Sequence, residues 1–509
     1  MKIVTQKVFL ILCILFGLSS FGIGASYSSF DNTGYKGKAE GEIRNSHKQA
    51  NEKERPSLIT KTNHPDRPNV LLIGIETLRA DHVGCLGHHR NTTPTFDKLA
   101  KEGVLFSNAI ATSSWTMPTN MSVFTSLYPD VHKTTTYQEK LPEARNTLAQ
   151  ILKENGYITA AFVSNPTLGH QYGFSKGFDL YDDFSVALDL GADLFGNNDR
   201  TGQNARTTLT NEVVSRAAIG WLQKNHTKPF FMFVFYFDPH HDYIPPPPFD
   251  TVFDPDYEGS IDGRGIAYEP RKSTRPAQRD LEHIIALYDG EILYTDGYVS
   301  KLLEKFAEYG ILDETLIVLF GDHGDEFYEH GSTAHAHTLY NELIHIPLIF
   351  TLPSLIPQNK RVGAMVSQVD IMPTILDYLN IEYDGFIQGR SLRPLVEGPK
   401  NNLHDVVYAE VKTPKNEALS AVITENHKFI LNSSTGSKEL FDLNNDPNEQ
   451  NNIYESRLLA GSVPLEYQLK QWLANNEKIT RQLFGNENLQ KIELDENQLK
   501  QLKSLGYLQ

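Results

Sequence analysis

The chain has little cysteine, no basic run and, past its first residues, no long apolar stretch. Its 509 residues include two cysteines, Cys13 and Cys85. Cys13 lies in an N-terminal apolar segment. If that segment is removed, one thiol remains, which excludes an internal disulfide, a thiolate zinc cluster and a dithiol redox pair. A large exported protein without disulfides fits a bacterial envelope better than a eukaryotic exterior. Lys and Arg number 47 against 63 Asp and Glu, a formal charge of −16. That balance argues against a nucleic-acid or anionic-membrane partner and leaves room for a local positive site such as a metal ion. Past the N-terminus no segment approaches the roughly 18 consecutive apolar residues of a membrane span. No internal repeat is visible. At 40% hydrophobic and 22% charged, the composition is globular, which removes collagen-like, low-complexity and wholly disordered readings.

Residues 1–25 have the pattern of a secretory leader. Lys2 and Lys7 form a charged start, Val8 to Phe16 is unbroken apolar, and small residues from Gly17 to Ala25 precede an expected cut near Ala25 or Ser26. The expected location is therefore secreted or periplasmic. No cysteine stands at the cut to carry a lipid, and no integral membrane segment is expected once the leader is gone. Residues 26–67 are polar, lack apolar periodicity and are expected to form a flexible linker.

From Pro68 the pattern changes. Asn69–Ile75 is a continuous apolar run, the mark of a strand buried on both faces. Similar runs are Thr159–Val163, Phe230–Tyr236, Thr315–Phe320 and Ile346–Phe350. Helical patterns over Thr95–Glu102, Thr147–Asn155, Thr208–Lys224, Asp280–Tyr309 and Ile371–Leu379 separate them. Such alternation predicts an α/β fold with a mostly parallel sheet flanked by helices. Ligands of these sheets lie beyond the carboxyl ends of the strands, and Glu76, Asp238 and Asp322 each follow a buried run. After about residue 400 the pieces Val406–Val411, Ser420–Thr424, Lys428–Leu431 and Glu439–Leu443 predict a small antiparallel sheet. A helical tail follows, with Asp495 and Gln498 as capping residues, then Leu499, Leu502 and Leu505, and Gly506 as the stop.

Three motifs carry chemistry. In Phe320-Gly-Asp322-His323-Gly324 a carboxylate and an imidazole meet at a strand end, a good half-site for Zn²⁺ or Mn²⁺. In Ile73-Gly-Ile-Glu76, Glu76 leaves the first strand, while Asp81 and His82 further on read as loop or structural residues rather than ligands. In Trp115-Thr116-Met-Pro118-Thr-Asn120, a hydroxyl stands where a turn enters a helix. There it is either a plain N-cap or a nucleophile facing an anion held by free N–H groups.

With Thr92–Phe106, Asp238-Pro-His240, Leu339–Glu342, Ile346-Pro347, Val369-Asp370, Gly389-Arg-Ser391, Glu439–Asp442 and Asp446-Pro447, these motifs resemble the sulfatase family of the alkaline phosphatase superfamily over about residues 68–450. The resemblance implies an alkaline phosphatase-like catalytic domain over 68–400, a small antiparallel subdomain over 401–452 and a helical tail over 453–509. It implies a hydrolase acting on an anionic ester, whether a small molecule, a glycan or a lipid headgroup.

The departures from the family are informative. Sulfatases have Cys or Ser, Pro two residues on and Arg four on, and the Cys or Ser is oxidised to formylglycine. Here those positions are Thr116, Pro118 and Asn120, so no formylglycine is expected. The family's Lys and His fall on about Asn165 and Thr167, its first metal Asp on Glu76 and its second on Thr77. The set Glu76, Thr116, Asp322 and His323 is similar to that of phosphoethanolamine and glycerol-phosphate transferases of the same superfamily. By that resemblance Glu76, Asp322, His323 and the Thr116 oxygen hold one divalent ion (Mn, Zn, Ca or Mg), and Thr116 is the nucleophile. His240 is implied as leaving-group acid or substrate contact. His335 or His337 is implied as the base for water, or as a ligand of a second ion. His330 reads as structural, and Asp238 lacks a third ligand for a further metal.

Formylglycine hydrate releases sulfate by using its second hydroxyl for C–O cleavage. A threonine sulfate ester has no such hydroxyl, whereas a threonine phosphate ester opens by attack of water at phosphorus. Phosphoester chemistry is therefore favoured over sulfate. Three alternatives stay open: a true sulfuric ester hydrolase without formylglycine, a transferase to a lipid or glycan acceptor, and a non-catalytic binding protein.

Overall fold

The computed structural model describes residues 67–183, 210–267, 274–398, 401–459, 464–485, 491–494 and 499. The expected leader, nearly all of the linker, and the Asp495/Gln498 cap with Leu502, Leu505 and Gly506 lie outside the described residues.

Among the described residues eleven strands precede the C-terminal region: β1 (Asn69–Ile75), β2 (Val104–Ile110), β3 (Ile158–Val163), β4 (Leu180–Asp182), β5 (Phe230–Tyr236), β6 (Thr315–Gly321), β7 (Glu326–Phe327), β8 (Thr333–Ala334), β9 (His345–Thr351), β10 (Lys360–Val362) and β11 (Val366–Ser367). The main sheet runs β10-β2-β9-β6-β1-β5-β3-β4, with β11 beside β2. β6, β1, β5, β3 and β4 are parallel to one another, while β9 is antiparallel to both of its neighbours. This is the mostly parallel, helix-flanked sheet that the apolar runs predict.

The long runs exist because both faces of the sheet are covered. Side chains alternate along a strand. Val70 and Leu72 enter one core with Phe231, Phe233, Val318 and Phe320. Leu71, Ile73 and Ile75 enter the other with Met232, Val234, Ile317 and Leu319. Each such side chain contributes about 1.5–3 kcal/mol of burial. β2 shows what a run-based reading passes over. Ser107 and Asn108 interrupt it, and its pairing with β9 shifts register between Phe106 and Ala109.

The C-terminal sheet is an antiparallel meander of β12 (Val407–Lys412), β13 (Ala418–Ile423), β14 (His427–Asn432) and β15 (Lys438–Asp442). The helix Pro464–Phe484 follows it in the chain. Trp472 of that helix stacks on Tyr408 of β12 with ring centroids 4.1 Å apart and meets Tyr128 edge-on at 5.1 Å. Lys428 of β14, fully buried, pairs with Glu449 at 2.7 Å and donates to Asn341 Oδ1 at 2.7 Å, tying this sheet to the segment before β9. Among the described residues no helix is long and apolar enough to cross a membrane.

Candidate active site

The parallel strands deliver their next residues to one edge. Glu76 N donates to Tyr236 O at 3.0 Å and Asp322 N to Ile75 O at 3.1 Å, so both acids extend the ladder by one rung and emerge side by side. Gly324 is required just beyond them, because a Cβ there would lie 2.0 Å from Glu342 O. The hydroxyl comes from the helix Thr116–Thr125, all of whose residues are buried. Trp115 is extended before it, which leaves Thr116 in the first turn with the positive helix end facing the acids.

Glu76, Asp322 and His323 offer ligand atoms within 4.8 Å of one another, and none of the three is exposed. Thr116 Oγ1 donates to Glu76 Oε1 at 2.8 Å and lies 3.3 Å from His323 Nε2. His323 Nδ1 faces Gly324 O at 3.0 Å and so carries the proton, which turns the Nε2 lone pair towards Thr116. Asp322 Oδ1 accepts from the N–H groups of Thr77 (3.0 Å) and His323 (2.7 Å), and Oδ2 accepts from Asn120 Nδ2 at 3.1 Å. These donors are neutral, and burial pushes the Asp322 carboxyl well above its ordinary value. Burial, reinforced by the facing His335, pushes His323 well below its own. Two buried carboxylates, a bare imidazole nitrogen and one hydroxyl form an O/O/N/O donor set that fits a divalent cation.

A second group of imidazoles adjoins the first. His240, His241 and His335 also present ligand atoms within 4.8 Å of one another. His240 Nδ1 meets His241 O at 2.5 Å, and its Nε2 lies 3.8 Å from Glu76 Oε1. The His335 ring is 4.5 Å from that of His323, and its Nδ1 meets Asp325 Oδ1 at 2.6 Å. Burial, then the facing His241 and His335, holds His240 well below its usual value. Burial alone would raise the Asp325 carboxyl, but the facing His335 and His241 hold it well below.

The structure thus brings Glu76, Thr116, Asp322, His323, His240 and His335 together. His337 is turned to Glu326, with Nε2 at 2.7 Å from Oε2 and Nδ1 at 3.0 Å from His335 O. His330 makes a structural pair, Nδ1 at 2.6 Å from Glu342 Oε1, and its pKa rises to about 9: burial would lower it, but Glu342 outweighs that. Asp238 Oδ2 accepts from the N–H groups of Thr210 (3.2 Å) and Asn211 (3.3 Å) where the helix Asn211–Asn225 begins. Asp81 is held by Arg79 through two hydrogen bonds, at 2.9 and 2.8 Å.

Four contacts escaped sequence reasoning. Asn120 and Asn165 stand at positions counted there only as lost family contacts. Asn120 donates to Asp322 and, at 2.9 Å, to Thr116 O, while Asn165 Nδ2 reaches both Glu76 oxygens at 2.6 Å. The signals existed: Asn120 is one helical turn from Thr116, and Asn165 follows the end of β3 as the acids follow theirs. Asp325 and His241 sit beside residues already singled out.

Fold and donor set together define a hydrolase of the alkaline phosphatase superfamily. The sulfatase family model matches residues 68–381, and a model described as N-sulphoglucosamine sulphohydrolase, C-terminal, matches 329–478. The chain belongs to the sulfatase family. It is similar to an arylsulfatase of Clostridium perfringens, 24% identical over 439 residues covering 77% of this chain and 91% of that one. It is also similar to the multifunctional alkaline phosphatase superfamily protein PehA of Trinickia caryophylli, 25% identical over 481 residues covering 76% and 91%. Among solved structures it shares its fold with a phosphonate monoester hydrolase of Agrobacterium radiobacter, at a TM-score of 0.68 and 21% identity over 81% of this chain and 96% of that one.

Proposed function

We propose that this sulfatase-family hydrolase cleaves phosphorus esters through Thr116, with one divalent ion held by Glu76, Asp322, His323 and the Thr116 oxygen. The reading is carried by one observation: the threonine hydroxyl is part of the donor set, 2.8 Å from Glu76 and 3.3 Å from His323. When bound, the ion lowers the hydroxyl pKa and offsets charge on the transferred group. The Thr116 hydroxyl proton passes to solvent by way of Glu76 Oε1, 2.8 Å away, Thr116 Oγ attacks phosphorus in line, the P–O bond to the leaving group breaks, and a phosphothreonine forms. His240, 3.8 Å from Glu76, faces the leaving oxygen and gives it a proton taken up with the anionic substrate. Water then attacks the same phosphorus, Thr116 Oγ leaves, and His335, oriented by Asp325, accepts the water proton. Asn165 and Asn120 keep the two carboxylates aimed.

Purified protein assayed on aryl phosphate, phosphodiester, phosphonate and sulfate esters, with added Mn²⁺ or Zn²⁺, is expected to turn over a phosphorus ester fastest. Faster turnover of the sulfate than of every phosphorus ester would overturn the substrate assignment. It would favour the second reading, a sulfuric ester hydrolase, which the likeness to an arylsulfatase supports. The protein is further proposed to act outside the cytoplasm. Its exported form is expected to begin near Ser26, and a mature mass that retains Lys2 and Lys7 would contradict cleavage there.

A further inference from the structure

A third group of ligand-type side chains lies apart from the hydrolytic centre. Asp289, on the helix Gln278–Glu308, is fully buried. His82 Nδ1 meets its Oδ1 at 2.6 Å, and His88 Nε2 (3.1 Å) and Arg90 Nη1 (2.7 Å) meet its Oδ2. The His82, His88 and Asp289 ligand atoms lie within 4.8 Å of one another. His88 is the telling residue. Its side chain is 7% exposed, and both ring nitrogens face acceptors: Nδ1 the carbonyl of Asp81 at 3.0 Å, Nε2 the Asp289 carboxylate. A neutral ring can donate only once, and donation from Nδ1 to the Asp81 carbonyl leaves the Nε2 lone pair facing the carboxylate, where a cation would bridge the two. An Nδ1–H fixed by a backbone carbonyl, with Nε2 turned to a second donor that could share a cation, is the outer-shell arrangement of metal-binding histidines.

We propose that His82, His88 and Asp289 form a second cation site, for a borderline ion such as Zn²⁺, that staples the loop after β1 to the long helix. Two imidazoles and one carboxylate are three of the four donors of a tetrahedral zinc site. The fourth position belongs to water or to an exposed neighbour. Arg90 is the competing cation. Its side chain is 21% exposed and lies 5.8 Å from the centre of the Phe253 ring, so it can withdraw to solvent. Binding displaces Arg90 from Asp289 and the proton shared between His82 and Asp289. The staple bears on the hydrolytic centre through Tyr288, next to Asp289, whose hydroxyl donates to Thr77 O at 2.6 Å and accepts from Arg79 N at 3.1 Å.

A purely structural ion network and a cation site differ in what loss of Arg90 does. The full chain, stripped by chelator, is titrated with Co²⁺ and followed by its d–d absorption and by metal analysis, all in an Asp322→Asn background that disables the other centre. That protein is expected to bind one Co²⁺ at the staple. Adding His88→Gln is expected to abolish this binding, and adding Arg90→Ala to tighten it about tenfold by removing the competing charge. Unchanged binding in the His88→Gln protein, or unchanged or weaker binding in the Arg90→Ala protein, overturns the proposal. Failure of the hydrolytic-centre reading would show separately, as equal uptake by the wild-type and Asp322→Asn proteins.

Discussion

Thr116→Ala is expected to reduce kcat by at least about 10³-fold and to abolish any phosphoryl adduct on the protein. The hydroxyl can bond to phosphorus and lies against both an acid and an imidazole. Alanine preserves the helix, because Thr116 is its first residue and its side chain makes no cap bond; Thr119 and Asn120 bond to the Thr116 carbonyl, which stays. The loss therefore reports chemistry rather than unfolding. Thr116→Ser keeps the nucleophile without the methyl group and is expected to retain measurable turnover. Quenching wild-type protein during turnover and locating the modified residue by peptide mass spectrometry is the direct check. Wild-type rates from the alanine variant would end the nucleophile assignment.

Asp322→Asn is expected to abolish activity and metal uptake at the hydrolytic centre while making the metal-free protein more stable. Burial raises the Asp322 carboxyl above its ordinary value, so the fold favours the protonated form. A group of this kind contributes its stability below the unfolded carboxyl value, near pH 4. That contribution is lost as pH rises from there through the folded value. At neutral pH the metal-free wild type has therefore lost part of the stability that the uncharged carboxyl supplies at low pH. Asparagine carries no charge at any of these pH values. Its oxygen can accept from the N–H groups of Thr77 and His323. Asn120 Oδ1, buried without a partner, can turn to receive the new amide. The amide thus keeps these hydrogen bonds and removes the pH-dependent cost of a desolvated carboxyl. Melting curves of the stripped proteins are expected to show Asp322→Asn above wild type at pH 7, the gap closing towards pH 4. Added metal reverses the order, since ion at about 100 times its Kd stabilises wild type by about 2.7 kcal/mol. A stripped variant that melts below stripped wild type at pH 7 would show that the carboxylate is already compensated without a cation.

The sheet was largely legible because burial on two faces leaves unbroken apolar runs. Asn69–Ile75 and Phe230–Tyr236 match their strands end to end, and Glu76 and Asp322 follow from the rule that places ligands beyond strand ends. β2 was not legible, since Ser107 and Asn108 break its run where it shifts register against β9. His335 and His337 could not be told apart by spacing. Ala334 and Ala336 have φ of 64° and 66°, and this backbone path turns one ring to Asp325 and the other to Glu326.

By itself the sequence determined the alternation of strands and helices, a threonine rather than a cysteine or serine at position 116, and which acids stand at strand ends. Those are properties of local composition and order along the chain. The tertiary structure alone decided that Asn165 holds Glu76, that Asp325 orients His335, and that His82 and His88 meet Asp289 some 200 positions away. Those contacts join segments remote in sequence. Their partners are chosen by strand order and helix packing, which no single stretch of residues encodes.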